Sequence, residues 1–375
     1  MTILIVSTPY DTHAVAVAWG LRRLGASSVT WCSSDFPGNS TSSIDLSNSR
    51  APSVELVVED LPHDGSFSAV WWRRLGKVEP MESSHPHDIK IINTESERYL
   101  LNAFTLLSAS NSRWVNKPDA AHRANNKATQ LIAAREVGFE IPKTLFTNDP
   151  ARLRRFFDEN GGKIVYKSFS HGGWLHEDGN LSVLMTSALR AEDLSDDNML
   201  RSCPGIYQQR IDKAFEIRVT VIGTTVIASS IDSQSQGETV DWRYDYMVGH
   251  MSTSAFSLSP EIQERCLSLC RNMQLEFACI DLIVTPSGEH VFLELNQAGQ
   301  FLWQEEADPR LRMLDIFCQH LAGSGGSEYR ARADINMAQF RESEDYAQHK
   351  EAIDARDREG EAGDSILVDE AKAQP

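Results

Sequence analysis

Two carboxylates stand on neighbouring strand-like runs in the last third of the chain. Asp281 lies within FACIDLIV and Glu294 within HVFLELN, at positions where a strand usually carries Val or Thr. A half-buried carboxylate without a partner is unstable, so such a pair needs a cation, basic side chains or water. Carboxylate and amide oxygens are the ligands that Mg²⁺ prefers, and Asn296 follows on the second run. This pattern predicts a magnesium site formed by Asp281, Glu294 and Asn296.

The turn between the two runs decides which residues face each other. If Ser287 and Gly288 form a two-residue turn, Asp281 lies directly opposite Glu294, about 5 Å away. Pro286 instead suits the first central position of a type I turn, which favours a three-residue loop and shifts the register by one residue. In both cases Glu294 and the Asn two positions on share a face. A solvent-facing pair on an edge strand remains the alternative.

Basic residues elsewhere in the chain could complete a site for phosphate. Lys127 follows NKPDAAHRANN on a predicted helix, and Lys167 closes the apolar run KIVYK just before a Gly-bearing stretch. Arg218 interrupts the apolar strand EIRVTVIG, and Arg243 lies in DWRYD beyond the next strand. A compact ammonium binds phosphates, and a planar guanidinium stabilises phosphoryl oxygens that gain charge during transfer. The bland alternatives are solvated surface lysines and an ion pair of Arg218 with Glu216.

Other motifs of enzyme chemistry are absent from the sequence. There is no GxxxxGK[ST] phosphate loop, no HRD and DFG pair, no GxSxG elbow and no HExxH zinc motif. The six cysteines have no CxxC spacing, and Cys266 and Cys270, four apart on a helix, are interpreted as core residues. We expect structural roles for four histidines: His171, His176, His250 and His290.

Composition narrows the class of protein. The chain has 375 residues, 41% hydrophobic and 24% charged, which is ordinary for a globular protein of two or three units. The formal charge of −17 argues against nucleic-acid binding, which needs a basic face. The apolar runs are too short for a membrane span and the start lacks a signal-peptide pattern, so we expect a cytoplasmic protein.

Periodicity predicts an α/β unit followed by α+β units. A strand at 3–6, a helix at 12–24 and a strand at 29–31 open the chain, and residues 33–53 are predicted to be loop. We expect an N-terminal α/β unit over 1–117, a central unit over 118–205 and a C-terminal unit over 206–325. Residues 326–375 are acidic and poor in aromatics, which predicts a disordered or weakly helical tail.

The order of motifs resembles a known family. NK on a helix, KIVYK, YQQRI, EIRVTVIG, DWR and FLELNQAGQFLW, after an α/β unit that ends with VWWRR, are similar to the ATP-grasp ligases. Within them, the similarity is to the synthetases that crosslink microviridin-like graspetides, which are ribosomally made peptides. It covers roughly residues 1–320. The resemblance implies an ATP-grasp fold, with an N-terminal pre-ATP-grasp α/β domain and ATP held between two α+β subdomains.

The resemblance also implies a role for each candidate residue. Lys127 and Lys167 would hold the ATP phosphates, and magnesium, as two ions, would bind Asp281, Glu294 and Asn296. Arg218 and Arg243 would stabilise the phosphate and an acyl phosphate. The adenine would contact the linker, whose residues are Gln208, Gln209, Arg210 and Ile211. Many family members have Gln-Glu in this linker where the chain has two glutamines, so a carboxylate contact to the nucleotide is missing here.

The activity that the resemblance implies is macrocycle formation. ATP would phosphorylate an Asp or Glu side chain of a precursor peptide, and a Thr or Ser hydroxyl or a Lys amine of the same peptide would attack the acyl phosphate. A leader helix on the precursor would be the partner, and a homodimer is possible. Two alternatives stay open: ligation of a free amino acid to a small molecule or peptide, and a nucleotide-dependent peptide-binding protein without turnover.

Overall fold

The computed structural model describes residues 2–58, 61–63, 66–169, 173–175, 181–232, 241, 252–323 and 329–358. The strands in chain order are β1 (Thr2–Ser7), β2 (Ser27–Cys32), β3 (Ser42–Asp45), β4 (Ser53–Val58), β5 (Leu61–His63), β6 (Phe67–Trp72), β7 (Arg113–Val115), β8 (Thr144–Thr147), β9 (Ile164–Lys167), β10 (Gly173–Leu175), β11 (Leu181–Val183), β12 (Ser187–Ala188), β13 (Gly205–Gln209), β14 (Phe215–Ile222), β15 (Thr225–Asp232), β16 (Ser252–Ala255), β17 (Phe277–Val284) and β18 (His290–Asn296). The α-helices are α1 (Thr12–Arg23), α2 (Ile89–Ser108), α3 (Pro118–Ala124), α4 (Lys127–Glu136), α5 (Pro150–Glu159), α6 (Asp197–Ser202), α7 (Pro260–Met273), α8 (Leu302–Ala307), α9 (Met313–Ala322), α10 (Met337–Arg341) and α11 (Glu344–Arg358).

A four-stranded parallel sheet, in the order β2–β1–β6–β7, forms the N-terminal unit. Residues 3–6 of strand β1 are all apolar because both faces of the strand are covered, as parallel strands require. Ile3 and Ile5 face one hydrophobic cluster with α1, while Leu4 and Val6 face another with α2. The predicted loop over 33–53 contains strand β3, which pairs with β4 in a small antiparallel sheet.

A second sheet, in the order β12–β9–β13–β8, forms the central unit. Helix α5 begins as its sequence indicates, because the Asp149 side chain accepts the N–H groups of Ala151 and Arg152 and Pro150 occupies the first turn. One face of the sheet packs on α5 and α6 through Leu153 and Tyr207 among others. The other face carries Gln208 and Lys167.

The third sheet is antiparallel, in the order β16–β15–β14–β17–β18. Its interior strand β17, between β14 and β18, is buried at all eight positions. Ile217, Val219 and Val221 of β14 point to α7 and form one core, to which Cys266 and Cys270 belong as predicted. On the opposite face, Phe277 packs with α9 and the N-terminal unit. This opposite face also bears the candidate site.

Of the two predictions for the tail, disordered or weakly helical, the first is wrong for residues 329–358, which contain helices α10 and α11. Ile335, Met337 and Phe340 are almost completely buried and complete the core around α1, where Phe340 lies 5.7 Å from the Trp19 ring. Acidic composition misled the prediction, because a few apolar residues at the start of the segment find a preformed surface. The Arg341 guanidinium also pairs with Glu306 at 2.6 Å.

Candidate functional site

A row of polar side chains crosses one face of the third sheet. Ser229 of β15 pairs with Arg218 of β14, Arg218 with Asp281 of β17, and Asp281 with Glu294 of β18. Side chains at directly paired positions lie on the same face of an antiparallel sheet. Of the two registers that the sequence left open, the structure has the one that pairs Asp281 with Glu294.

β17 and β18 are joined by the three-residue loop of Pro286, Ser287 and Gly288. A β-bulge in β18 then shifts the register by one residue. Gly288 donates its N–H to the Thr285 carbonyl at 2.8 Å, and Thr285 donates to the Glu289 carbonyl at 3.0 Å. Gly288 has φ +84°, a conformation that glycine adopts easily. Leu293 is the extra residue of a β-bulge, since Phe292 and Glu294 pair with consecutive residues of β17. The bulge returns Glu294 to the position opposite Asp281.

Arg218 and Asp281 form a buried ion pair. The Arg218 Nη1 donates to both carboxylate oxygens, at 2.7 and 2.8 Å, and the two side chains are only 7% and 10% exposed. Burial alone would lower the pKa of Arg218, but the charge of Asp281 raises it above its usual value. Glu216, the alternative partner from the sequence, accepts from Lys213 Nζ at 2.5 Å instead.

Lys127 reaches the second carboxylate from helix α4. Its Nζ donates to Glu294 Oε2 at 2.8 Å, with both side chains about one-fifth to one-quarter exposed at 20% and 24%. Asn126 caps the helix by accepting the N–H of Thr129. Gln130, one turn further, fixes α4 to β18 by exchanging two hydrogen bonds with the backbone of Leu295. The lysine is thus held in position by the helix that carries it.

The segment 297–302 follows Asn296 and touches Arg218. Arg218 Nη2 donates to the Gln300 carbonyl at 3.1 Å. A Cβ atom at Gly299 would lie 2.9 Å from Arg218 Nη2 and 2.7 Å from Cys279 Cβ. Only glycine allows the backbone to come this close to the guanidinium.

The N-terminal unit holds the same segment from the other side. Arg73 Nη1 donates to the carbonyl of Ala298 and, at 3.4 Å, to that of Gly299. His13 Nε2 accepts the backbone N–H groups of residues 301 and 302 at 3.1 and 3.3 Å. These two side chains are 1% and 3% exposed, and together they fix the backbone beside Arg218.

A buried carboxylate supports these two residues. Asp11 accepts from Arg73 Nε and from the Ser7 hydroxyl, both at 3.1 Å. Burial alone would raise the pKa of Asp11, but the charges of Arg73, His13 and Arg74 hold it well below its usual range. Burial and the Arg73 charge lower the pKa of His13, so its ring is neutral and can accept hydrogen bonds. Sequence reasoning missed this group because its partners lie far away along the chain.

Five predicted nucleotide residues lie on or next to the second sheet: Lys167, Gln208, Gln209, Arg210 and Ile211. The Gln208 side chain is buried and donates to Thr144 Oγ1 at 3.0 Å. The N–H groups of Gln209 and Arg210 donate to backbone carbonyls of the same unit, at 2.8 and 2.9 Å. The structure therefore separates the candidates into two groups, one on each sheet, joined by the connection from β13 to β14.

Arg243 lies outside the described residues, as do His171, His176 and His250. Asp241, two positions before Arg243, is buried and accepts the N–H of Thr186 at 3.1 Å.

The ligand set on the third sheet fits magnesium. Asp281, Glu294 and Asn296 supply only oxygen donors, which is the preference of a hard cation. The Gln297 Oε1 next to them is buried and has no hydrogen-bond partner within the described residues, so it is a further oxygen acceptor. In the described part of the chain, no three or more His, Cys, Asp or Glu side chains come together in a way that could hold a metal ion by themselves. Phosphate oxygens and water would have to complete an octahedral shell.

The fold is an ATP-grasp fold. Residues 123–307 match the model of the RimK-like ATP-grasp domain. A comparison with curated proteins finds no match.

Solved structures make the assignment more particular. A RiPP-associated ATP-grasp ligase from Chryseobacterium gregarium, in complex with ADP and a leader and core peptide, matches with a TM-score of 0.76 and 25% identity over 88% of this chain and 98% of its own. The macrocyclase MdnC from Microcystis aeruginosa MRC, bound with precursor peptide MdnA, matches at 0.73 and 25% over 86% and 100%. The macrocyclase MdnB of the same organism matches at 0.70 and 27% over 85% and 98%. The chain is thus similar in structure to RiPP-associated ATP-grasp ligases and macrocyclases.

None of the helices among the described residues has the length and apolar character of a membrane span.

Proposed function

We propose that the protein is an ATP-dependent carboxylate ligase that crosslinks a ribosomally made precursor peptide through intramolecular ester or amide bonds. The observation that carries this proposal is the row of Arg218, Asp281 and Glu294, with Lys127, on one face of an ATP-grasp fold. The similar structures include one bound with leader and core peptides and one bound with a precursor peptide, which supports a peptide substrate.

In this proposal the two groups of residues bind opposite ends of ATP. The linker from Gln208 to Ile211 contacts adenine through backbone groups that its own sheet does not use. Lys167 and Lys127 bind phosphates as compact positive charges. Two magnesium ions would bind Asp281, Glu294 and Asn296. The bound ions would neutralise the phosphate charge.

Arg218 is the residue that stabilises the transferred phosphoryl group. Asp281 occupies its Nη1 and fixes the plane of the guanidinium. Its Nε is buried and has no hydrogen-bond partner in the described part of the protein, so a donor remains for an anion. A buried donor without a partner is costly, and a phosphoryl oxygen would satisfy it. Arg243 is proposed to act with it on the acyl phosphate.

The reaction has two steps. A carboxylate oxygen of the peptide takes the γ-phosphoryl group of ATP, and ADP leaves. A Thr or Ser hydroxyl, or a Lys amine, then attacks the acyl carbon, loses its proton, and phosphate leaves with the former carboxylate oxygen. The peptide loses one water for each ring. The protein contributes orientation and charge stabilisation, since the driving force comes from ATP.

Three further expectations belong to the same proposal: a cytoplasmic location, where ATP is available, a homodimer, and domain boundaries near residues 117, 205 and 325. The leader helix of the precursor is the expected peptide partner.

The test is a mass measurement on the peptide encoded beside the gene. The purified protein is incubated with this peptide, ATP and magnesium, and we expect losses of one or more waters that need both ATP and magnesium. Arg218→Lys should abolish the losses because lysine cannot keep the bidentate pair and offer a further donor. Arg271→Lys, on the surface of α7, should leave them intact. An unchanged peptide, with ADP released only when free amino acids are added, would favour the amino-acid ligase. Tight ATP binding without turnover would favour the binding protein.

A further inference from the structure

Asn116 is a buried amide outside the groups that the proposed reaction assigns. It follows β7 directly, at the carboxyl end of the N-terminal parallel sheet, and is 1% exposed. An amide side chain offers two N–H donors and an oxygen that accepts two hydrogen bonds. In Asn116 all four of these are engaged with backbone groups of the third sheet and of the segment after it.

The Asn116 side chain joins the start of β17 to the residue after β18. Its Oδ1 accepts the N–H groups of Glu276 and Phe277 at 2.7 and 3.0 Å. Its Nδ2 donates to the Phe277 carbonyl and to the Gln297 carbonyl, both at 2.9 Å. A single side chain of the N-terminal unit therefore fixes two distant stretches of backbone relative to each other.

The amide acts at the point where the pairing of β17 with β18 ends. Cys279 with Asn296 is the last pair of this ladder. The chain then turns, because the Ala298 N–H donates to Asn296 Oδ1 at 3.0 Å and the Gly299 N–H donates to the Asn296 carbonyl at 3.3 Å. Asn116 Nδ2 connects the two chains beyond the last pair.

This turn determines the orientation of a proposed magnesium ligand. Asn296 Oδ1 has two lone pairs; one accepts the Ala298 N–H, and a cation would bind the other. The direction of that second lone pair depends on where residues 297 and 298 lie. Asn116 holds the carbonyl of the first, and Arg73 Nη1 holds the carbonyl of the second.

Gln297 is held by the same hydrogen bond. Its side-chain Oε1 is buried and has no hydrogen-bond partner within the ranges that the structure describes. A buried acceptor without a donor is unfavourable, and a bound cation would compensate it. Because Asn116 fixes the backbone of Gln297, it also limits where this oxygen can reach.

We propose that Asn116 is a positioning residue for magnesium, which holds the turn after β18 so that Asn296 and Gln297 present their side-chain oxygens to the cation. The proposal rests on the proposed function, because the cation is the one that binds with the nucleotide. Asn116 acts through the backbone of residue 297, since its own donors and acceptor are taken by backbone partners. Residues that orient metal ligands in this way affect metal affinity strongly.

Calorimetric titration with ADP at a series of magnesium concentrations tests this role without peptide and without turnover. The readout is the magnesium concentration that gives half of the gain in ADP affinity. Asn116→Asp keeps the acceptor oxygens and loses both N–H donors, so this concentration should rise at least about tenfold. The ADP affinity without magnesium should stay the same, because Lys127, Lys167 and the linker are unchanged.

Gln319→Glu is the matched control, because Gln319 is also a buried amide, at 4% exposed. Its Nε2 donates to Asp315 Oδ1 at 2.6 Å and to the Arg330 carbonyl at 2.7 Å, and its Oε1 accepts the Arg330 N–H at 3.0 Å. These bonds join α9 to the C-terminal segment. The control should lower the thermal unfolding midpoint, as Asn116→Asp does, and keep the magnesium requirement of the wild type.

Asn116→Ser, which keeps a hydroxyl and adds no charge, takes the place of Asn116→Asp if the latter does not unfold cooperatively. A raised magnesium requirement in the Asn116 variant but not in the control supports the proposal. An unchanged requirement, an equal loss of ADP affinity with and without magnesium, or failure of both Asn116 variants to fold would assign a structural role and overturn it. A wild type whose ADP binding ignores magnesium would overturn the magnesium site itself, whereas an unmodified peptide in the mass assay would bear on the ligase reaction alone.

Discussion

Replacing Arg73 by Met should destabilise the whole molecule, because it removes the partner of a buried carboxylate. Asp11 is 5% exposed and its nearest cationic atom is Arg73 Nε at 3.1 Å, whereas Arg74 Nε lies at 3.8 Å. Breaking one partner of a buried pair costs about 3–5 kcal/mol. The two carbonyls of the segment 297–302 also lose their donor, at about 1 kcal/mol for each hydrogen bond. We therefore expect the free energy of unfolding to fall by about 5–7 kcal/mol.

The assay is urea unfolding followed by tryptophan fluorescence, with Arg74→Met as the matched control. Arg74 is one-quarter exposed at 25%, and its ion pair is long, so this variant should lose less than about 1 kcal/mol. A double variant with Asp11→Asn should recover part of the loss, since the unpaired charge is gone. Equal losses for Arg73→Met and Arg74→Met would refute the reasoning, as would a double variant less stable than the sum of its two single variants.

Three further predictions concern other parts of the molecule. Phe340→Ala should lower the free energy of unfolding by about 3–5 kcal/mol, because the ring is fully buried. Lys350→Ala, on the exposed face of α11, should change it by less than about 0.5 kcal/mol when both variants are compared by urea unfolding. Burial and the charge of Arg113 lower the pKa of His320 from 6.5 to about 4. The free energy of unfolding should therefore be highest above pH 6.5 and should fall by about 3 kcal/mol in all as the pH falls towards 4. His320→Gln should lack this loss when unfolding is measured between about pH 7 and 4. Lys127→Met should remove the ammonium partner of Glu294 and raise the KM for ATP at least tenfold. Steady-state ADP release measures this KM, and an unchanged value would contradict the proposed phosphate contact.

The carboxylate hairpin of β17 and β18 was predicted from short-range patterns in the sequence. Alternation on two adjacent runs indicated which residues share a face, and the order Pro286, Ser287, Gly288 limited the turn to two forms. What the pattern could not contain was the bulge at Leu293, which adjusts the register by one residue and depends on packing against α4 and the sheet. The pairing of Asp281 with Glu294 was one of two registers left open by the sequence, and it forms with the three-residue loop instead of the two-residue turn assumed for it.

The sequence could not predict the contacts between residues that lie far apart along the chain. Arg73 donates to a carbonyl 225 positions away, and nothing near it in the sequence indicates that acceptor. The same holds for the C-terminal segment, whose low apolar content predicted disorder. Three buried apolar side chains are enough there because the surface of α1 already exists and needs only to be covered. Composition describes what a segment could do alone, and these residues do not fold alone.

The core around α1 has a consequence for how the protein is made. It combines Ile5 with Phe277 and Phe340, which come more than 270 positions later in the chain. Because a ribosome delivers the chain from its N-terminus, the first parallel sheet emerges long before the residues that cover α1 have been synthesised. Until then the apolar face of α1 in the N-terminal unit is uncovered. Contacts between residues so far apart in the sequence also form slowly. During translation this face is the natural place for a chaperone to bind.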